Sequence, residues 1–173
     1  MSSQPDQPFS DTTESLKIRL ADITRGARAA TAGERLVYRV AGGPPGKRLE
    51  SVIQIGGTGD LSASLLDEMR GIGRRELTRK LPPEDVTNLI RAVVDSGLLE
   101  ESDRGGPFLP DSVIASVTVE SDGAAITHYF LPDKDRRAAQ GKELSRPLQI
   151  LHPVLERLAT RVSRDLTSAR KKR

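Results

Sequence analysis

The stretch VIQIGGTGDLSAS, residues 52–64, has the residue types of a phosphate-binding loop, a β-branched run followed by glycines. Gly57 and Gly59 match the first two glycines of the dinucleotide-binding pattern G-x-G-x-x-G, but Ser62 stands in the place of the third. No Gly-Lys-Ser/Thr follows, as a P-loop requires, and Asp60 would place a carboxylate beside any bound phosphate. Because glycine also supplies the positive φ of a tight turn, the stretch predicts a turn between antiparallel strands.

The other side chains that could do acid–base, nucleophilic or metal chemistry do not form a recognisable site. His128 and His152 have no second ligand at a metal-binding spacing, and no G-x-S-x-G motif is present. Several carboxylates lie in predicted first helical turns and loops, where solvated charges are usual: Glu84, Asp85, Glu100, Glu101 and Asp103. We therefore predict a protein that is not an enzyme and has no catalytic residue, metal or cofactor.

The amino-acid composition restricts the class of protein further. The 173 residues are 36% hydrophobic and 29% charged, which is typical of one globular domain with polar extensions. The chain has no cysteine, which is compatible with a reducing cytosol, so the expected location is cytoplasmic. No apolar run approaches the length of a membrane span, and the net charge of +3 is small for a domain that binds nucleic acid.

The first half of the domain reads as strands joined by tight turns. Residues 36–41 and 49–55 have strand composition and are separated by the turn cluster GGPPGK, so they predict a hairpin. Residues 61–70 fit either a strand, from the alternation of Leu61, Ala63 and Leu65, or a helix; we favour the strand. Residues 74–81 predict a polar strand at the edge of the sheet.

The clearest element is a helix within residues 81–100. Pro83 suits the first helical position, and Gly97 is placed to end the helix. Val86 and Ile90 belong to an apolar stripe with helical spacing, which fits the core more readily than a free surface.

The second half predicts another hairpin, residues 112–120 with 124–131, followed by a long helix that contains Pro153. Strands joined by short turns imply an antiparallel sheet. We predict an α+β fold with two main helices on one face of that sheet. The expected boundaries are a flexible tail and linker over 1–33, one domain over 34–168, and a basic tail over 169–173.

The long C-terminal helix offers two surfaces. Its leucine stripe covers the sheet, but if the sheet is small, Leu158, Val162 and Leu166 project beyond it and dock on another protein or a second copy of the chain. The opposite side is basic. Contact with phosphates or an acidic partner would use six basic residues, Arg161, Arg164, Arg170, Lys171, Lys172 and Arg173. No aromatic residues are interleaved, so base stacking is not predicted.

Short turn and cap motifs give the chain a resemblance to the Mago nashi family. The matching positions, between Leu36 and Ile126, are Gly46-Lys47, Gly59-Asp60-Leu61, Asp95-Ser96 and Pro110-Asp111 with Val113. The resemblance implies a flat antiparallel sheet backed by helices that acts as a non-catalytic adaptor. In that family the helical face binds an RNA-recognition-motif protein within a complex on spliced RNA. The order sheet, helix, hairpin, helix is also similar to emfourin-type inhibitors of metalloproteinases.

Three functional hypotheses follow. The first is a protein-interaction module that docks through its helices at Val86, Ile90, Leu158, Val162 and Leu166; an inhibitor of proteinases would be one form of it. The second is a nucleic-acid adaptor that uses the basic end of the chain. The third is a nucleotide-using enzyme built on Gly57 and Gly59.

Overall fold

A computed structural model describes residues 9–168, and side chains from residue 13 onward. Within these residues, the alternating apolar segments form six strands: β1 (Glu34–Gly42), β2 (Leu49–Gly56), β3 (Asp60–Asp67), β4 (Ile72–Lys80), β5 (Ile114–Ser121) and β6 (Ala124–Phe130). They build one sheet in the order β4-β3-β2-β1-β5-β6, in which every neighbouring pair is antiparallel. The predicted α+β class is confirmed, as are the strand over 61–67 and the edge position of β4.

Within residues 9–168, four α-helices accompany the sheet: α1 (Phe9–Thr24), α2 (Pro83–Ser96), α3 (Lys134–Gln140) and α4 (Arg146–Ser168). Helix α2 begins and ends where the sequence predicts, since Pro83 is its first residue and Gly97 caps it at φ 79°. Helix α4 continues through Pro153, and it carries the apolar stripe that the sequence shows. The short helix α3 lies in the charged connection between β6 and α4.

One face of the sheet carries the core. Its alternate side chains are buried against the helices, and the apolar stripes of α1, α2 and α4 complete the same cluster. Helix α1 contacts β5 and β6, and α2 lies between α1 and α4. Helix α4 crosses the sheet from β6, where His152 packs on Phe130, to β4, where Arg79 pairs with Asp165 at 2.7 Å.

The domain begins earlier than the sequence predicts. Residues 9–24, expected within a flexible tail, form α1, and its Leu16, Leu20 and Ile23 are at most 3% exposed. In the sequence, Leu16, Ile18 and Leu20 alternate as in a strand, while Leu16, Leu20 and Ile23 have helical spacing, and burial of the second set selects the helix. Residues 1–8 and 169–173 lie outside the described part of the chain.

A buried carboxylate fixes the loop between α1 and β1. Glu34 is 2% exposed and accepts hydrogen bonds from the backbone N–H and hydroxyl of Thr31 and from the hydroxyl of Ser121. The Arg28 guanidinium pairs with it at 2.8 Å and also reaches Asp122 at 3.1 Å. The predicted linker is therefore attached to the turn between β5 and β6 by charge-assisted hydrogen bonds.

Candidate functional site

The glycine-rich stretch is the turn between β2 and β3. The N–H of Gly59 donates to the carbonyl of Gly56 at 2.9 Å, and Gly59 has φ 91°. Gly57 lies so close to the Thr31 carbonyl and the Glu34 side chain that a Cβ would overlap them. Both glycines are thus explained by turn geometry and close packing. A phosphate loop would open a helix, whereas this one joins antiparallel strands.

His128 is fully buried on β6. The Arg104 guanidinium donates to Nε2 at 2.6 Å, so Nε2 is the acceptor and Nδ1 carries the hydrogen that it donates to the carbonyl of Asp103, 3.1 Å away. Burial lowers the pKa of His128, and the positive charge of Arg104 lowers it further. A neutral ring with both nitrogens occupied anchors the loop after α2 to the sheet.

His152 on α4 is also in the core. Its ring meets Phe130 edge to face with centroids 5.1 Å apart, and Nε2 lies 3.4 Å from Glu156 one turn later. Burial lowers the pKa of His152, while the Glu156 carboxylate acts in the opposite direction. Neither histidine lines one of the depressions described below.

The apolar positions expected to dock a partner are covered by this chain itself. Val86 is 3% exposed, Ile90 9%, Val162 1% and Leu166 5%, and the half-buried Leu158 packs against the same core. A small sheet would leave the end of α4 unsupported, but the six strands extend under it as far as β4. Val86, Ile90, Val162 and Leu166 are therefore core residues, and Leu158 is the one of the five that keeps part of its surface exposed.

The basic positions divide into two groups. Arg161 and Arg164 are exposed on the outer side of α4, and neither forms an ion pair within residues 13–168. The other four, Arg170, Lys171, Lys172 and Arg173, lie outside the described residues.

Within residues 9–168, no helix packs on the sheet face opposite α1, α2 and α4, here called the open face. Short polar and apolar side chains form a row across it, as the strand registers show: Thr78, Ser62, Gln54, Val37, Thr118 and Thr127. The hydroxyls of Thr118 and Thr127 are 2.9 Å apart. The sequence shows this alternation, and the helices cover the more apolar set, which includes Leu61, Ala63 and Leu65.

Charged side chains on the open face are mostly paired. Glu50 lies between Arg74 at 2.9 Å and Arg39 at 3.2 Å, and the hydrogen bond from Arg74 is the main reason that its pKa is lowered. Lys80 pairs with Asp60 at 2.9 Å at the other end of β4. Both signs of charge thus alternate along this face.

Two open depressions interrupt the face. One of about 540 Å³ lies beside the glycine turn and is lined by residues such as Gln54, Ser62 and Thr78. The other, about 550 Å³, lies among Arg39, Glu50 and neighbouring residues. The first is also lined by Thr58, Asp60 and Lys80; the Thr58 hydroxyl donates to the Asp60 carboxylate at 2.7 Å, and Lys80 donates to the same carboxylate at 2.9 Å.

Comparison with protein-family models and with curated proteins finds no match for this chain. Among the described residues, no three metal-ligating side chains converge on one point. None of the described helices combines the length and the apolar content that a membrane crossing needs.

Proposed function

We propose that this protein is a non-catalytic interaction module that binds another protein through the open face of its sheet. The observation that carries the proposal is the one-sided architecture, with α1, α2 and α4 on one face and the rows of Ser, Thr, Gln and Val on the other. The helices then act as the rigid backing of the binding surface.

The chemistry of the open face suits a protein partner. Protein interfaces combine apolar contact with hydrogen bonds and a polar periphery, and the hydroxyl and amide groups here lie beside Val37 and Val52. Because the charges occur as opposite pairs, the face has no positive stripe for a phosphate backbone. Mixed charges favour a partner with a complementary mixed pattern.

A paired substitution tests the surface. Ser62→Arg and Thr118→Arg each place a long charged side chain on the open face, whereas Thr160→Arg makes the same change on the exposed side of α4. In quantitative affinity capture, proteins retained by the unmodified chain are expected to be lost with the first two variants and kept with the third. Equal retention by all three folded variants, verified by thermal unfolding, would contradict the proposal.

A second candidate function rests on the exposed arginines of α4. Arg161 and Arg164 lie at the basic end of the chain, so phosphate binding there needs no rearrangement of the fold. This function predicts binding to RNA or DNA that weakens steeply with salt and is reduced by Arg161→Gln with Arg164→Gln. Fluorescence anisotropy at several salt concentrations measures both effects, and binding that does not respond to salt would exclude it.

A further inference from the structure

Strand β4 leaves one edge of the sheet unpaired within residues 9–168, since β3 is its sole neighbour. The N–H of Leu81 donates to the carbonyl of Gly59 at 2.7 Å, so this pair is hydrogen-bonded. Hydrogen-bonded and non-bonded pairs alternate along an antiparallel ladder. The backbone groups of Arg75, Leu77 and Arg79 therefore face β3, and those of Glu76, Thr78 and Lys80 point away from the sheet.

The same three residues also place their side chains on the open face, where all three are exposed. Their order is acidic, hydroxyl, basic, with Thr78 at the centre. Lys80 has one carboxylate partner, Asp60, and no cation lies within ion-pair distance of Glu76 in the described part of the chain. An antiparallel copy of this strand would present a basic side chain to each acidic one.

We propose that two copies of this chain associate through antiparallel pairing of β4, with Thr78 on the two-fold axis. Thr78 then lies opposite Thr78 of the second copy, and Glu76 lies opposite Lys80 in both directions. Opposite charges and paired threonines are favourable neighbours across strands. The outward backbone groups of these three positions supply about six hydrogen bonds, two for each pair.

Charge excludes the neighbouring registers. Shifting the axis toward the start of β4 places Arg75 opposite Arg79, and a further shift places Glu76 opposite itself. A shift in the other direction places Arg79 opposite its own copy. Like charges directly opposite each other destabilise a ladder, so the register centred on Thr78 is the one that avoids all three conflicts.

The other edge of the sheet is partly occupied. The N–H of Tyr129 on β6 donates to the carbonyl of Arg104 at 2.8 Å, and Gly105 lies directly against the Tyr129 carbonyl. A second copy cannot add to β6 at this position without displacing the loop. The free edge is thus β4, and pairing there is isologous, as a two-fold dimer requires.

The pair would form one continuous sheet with twice the six strands of a single copy. A two-fold axis perpendicular to the sheet places both helical layers on one side and both open faces on the other. Since the ladder covers a few residues of one strand, the interface is small and the dimer is expected to depend on protein concentration.

Exchanging the charges of Glu76 and Lys80 tests the register of the β4 pairing. Glu76→Lys places Lys opposite Lys80, and Lys80→Glu places Glu opposite Glu76, so each variant alone is expected to weaken dimerisation about tenfold or more in sedimentation equilibrium. The double variant restores opposite charges, as does an equimolar mixture of the two single variants. Glu143→Lys, an exposed change of the same charge in the connection before α4, is the control. Loss without rescue in the mixture would overturn the proposal, as would a monomeric unmodified chain at all concentrations.

Cross-linking tests the axis independently of charge. Because the chain has no cysteine, Thr78→Cys carries a single thiol, and the Cα separation of roughly 5.5 Å in a hydrogen-bonded pair permits a disulfide. Oxidised glutathione is expected to convert this variant to a covalent dimer and to leave Thr127→Cys on β6 monomeric. Equal cross-linking of the two variants would contradict pairing through β4.

Discussion

Nη1 of Arg104 lies 2.6 Å from Nε2 of His128, a ring with no exposed surface. This arrangement requires a neutral imidazole, because a protonated one would have no lone pair for the guanidinium and would face its positive charge. Burial and Arg104 lower the pKa of His128 from its ordinary value of 6.5. Below pH 6.5, the unfolded chain therefore binds a proton at His128 more readily than the folded chain does.

The first prediction is a loss of stability in acid. Since the folded-state pKa is the lower one, the contribution of neutral His128 is complete above pH 6.5 and decreases as the pH falls below it. Urea unfolding between pH 8 and pH 5 measures the slope, and His128→Gln is expected to flatten it. The pKa of His152 is also lowered in the folded chain, and His152 remains in that variant, so part of the slope persists. An unchanged slope in His128→Gln would show that His128 is not the group responsible.

The second prediction concerns α1. Leu16 has no exposed surface, whereas Ile18 on the same helix is 54% exposed. Leu16→Ala is expected to lower the free energy of unfolding by about 3 kcal/mol through lost burial and a residual cavity, and Ile18→Ala by less than about 0.5 kcal/mol. Denaturant titration of both variants gives the comparison. Equal small effects would mean that α1 is not an integral part of the core.

The third prediction concerns the buried carboxylate of Glu34. Glu34→Ala leaves the hydroxyls of Thr31 and Ser121 without their Glu34 acceptor and leaves Arg28 with Asp122 as its remaining carboxylate partner. We expect a loss of about 3 kcal/mol of unfolding free energy, measured by chemical denaturation. Glu143→Ala, which removes an exposed carboxylate, is the matched control and is expected to change stability little. A similar result for both variants would contradict a structural role for Glu34.

The elements that could be predicted from sequence have local causes. Pro83, Gly97 and the apolar stripe between them define α2 without reference to the rest of the chain. The alternation in the hairpins likewise defines the strands. The segment that forms α1 fits a strand through Leu16, Ile18 and Leu20 as well as a helix through Leu16, Leu20 and Ile23. A short helix is marginal by itself, and burial of Leu16, Leu20 and Ile23 supplies its stability.

Which side chains of α4 are exposed is harder to predict, because their exposure depends on the width of the sheet. β4 has the composition of an edge strand, yet its presence extends the sheet under the end of α4 and buries Val162 and Leu166. The apolar residues that follow the helical period are then buried in the core. The side chains of the open face are mostly those of Ser, Thr and Gln, so no apolar stripe in the sequence predicts a surface there.

The loop that hydrogen-bonds Tyr129 of β6 bears on aggregation. A sheet with two accessible edges can recruit copies on both sides and grow into a fibre. Here one side is the strand of the proposed pairing, and on the other side the loop at Tyr129 would have to be displaced before a copy could add along that part of β6. A sheet with one obstructed edge is less prone to add copies without limit, even at a high protein concentration.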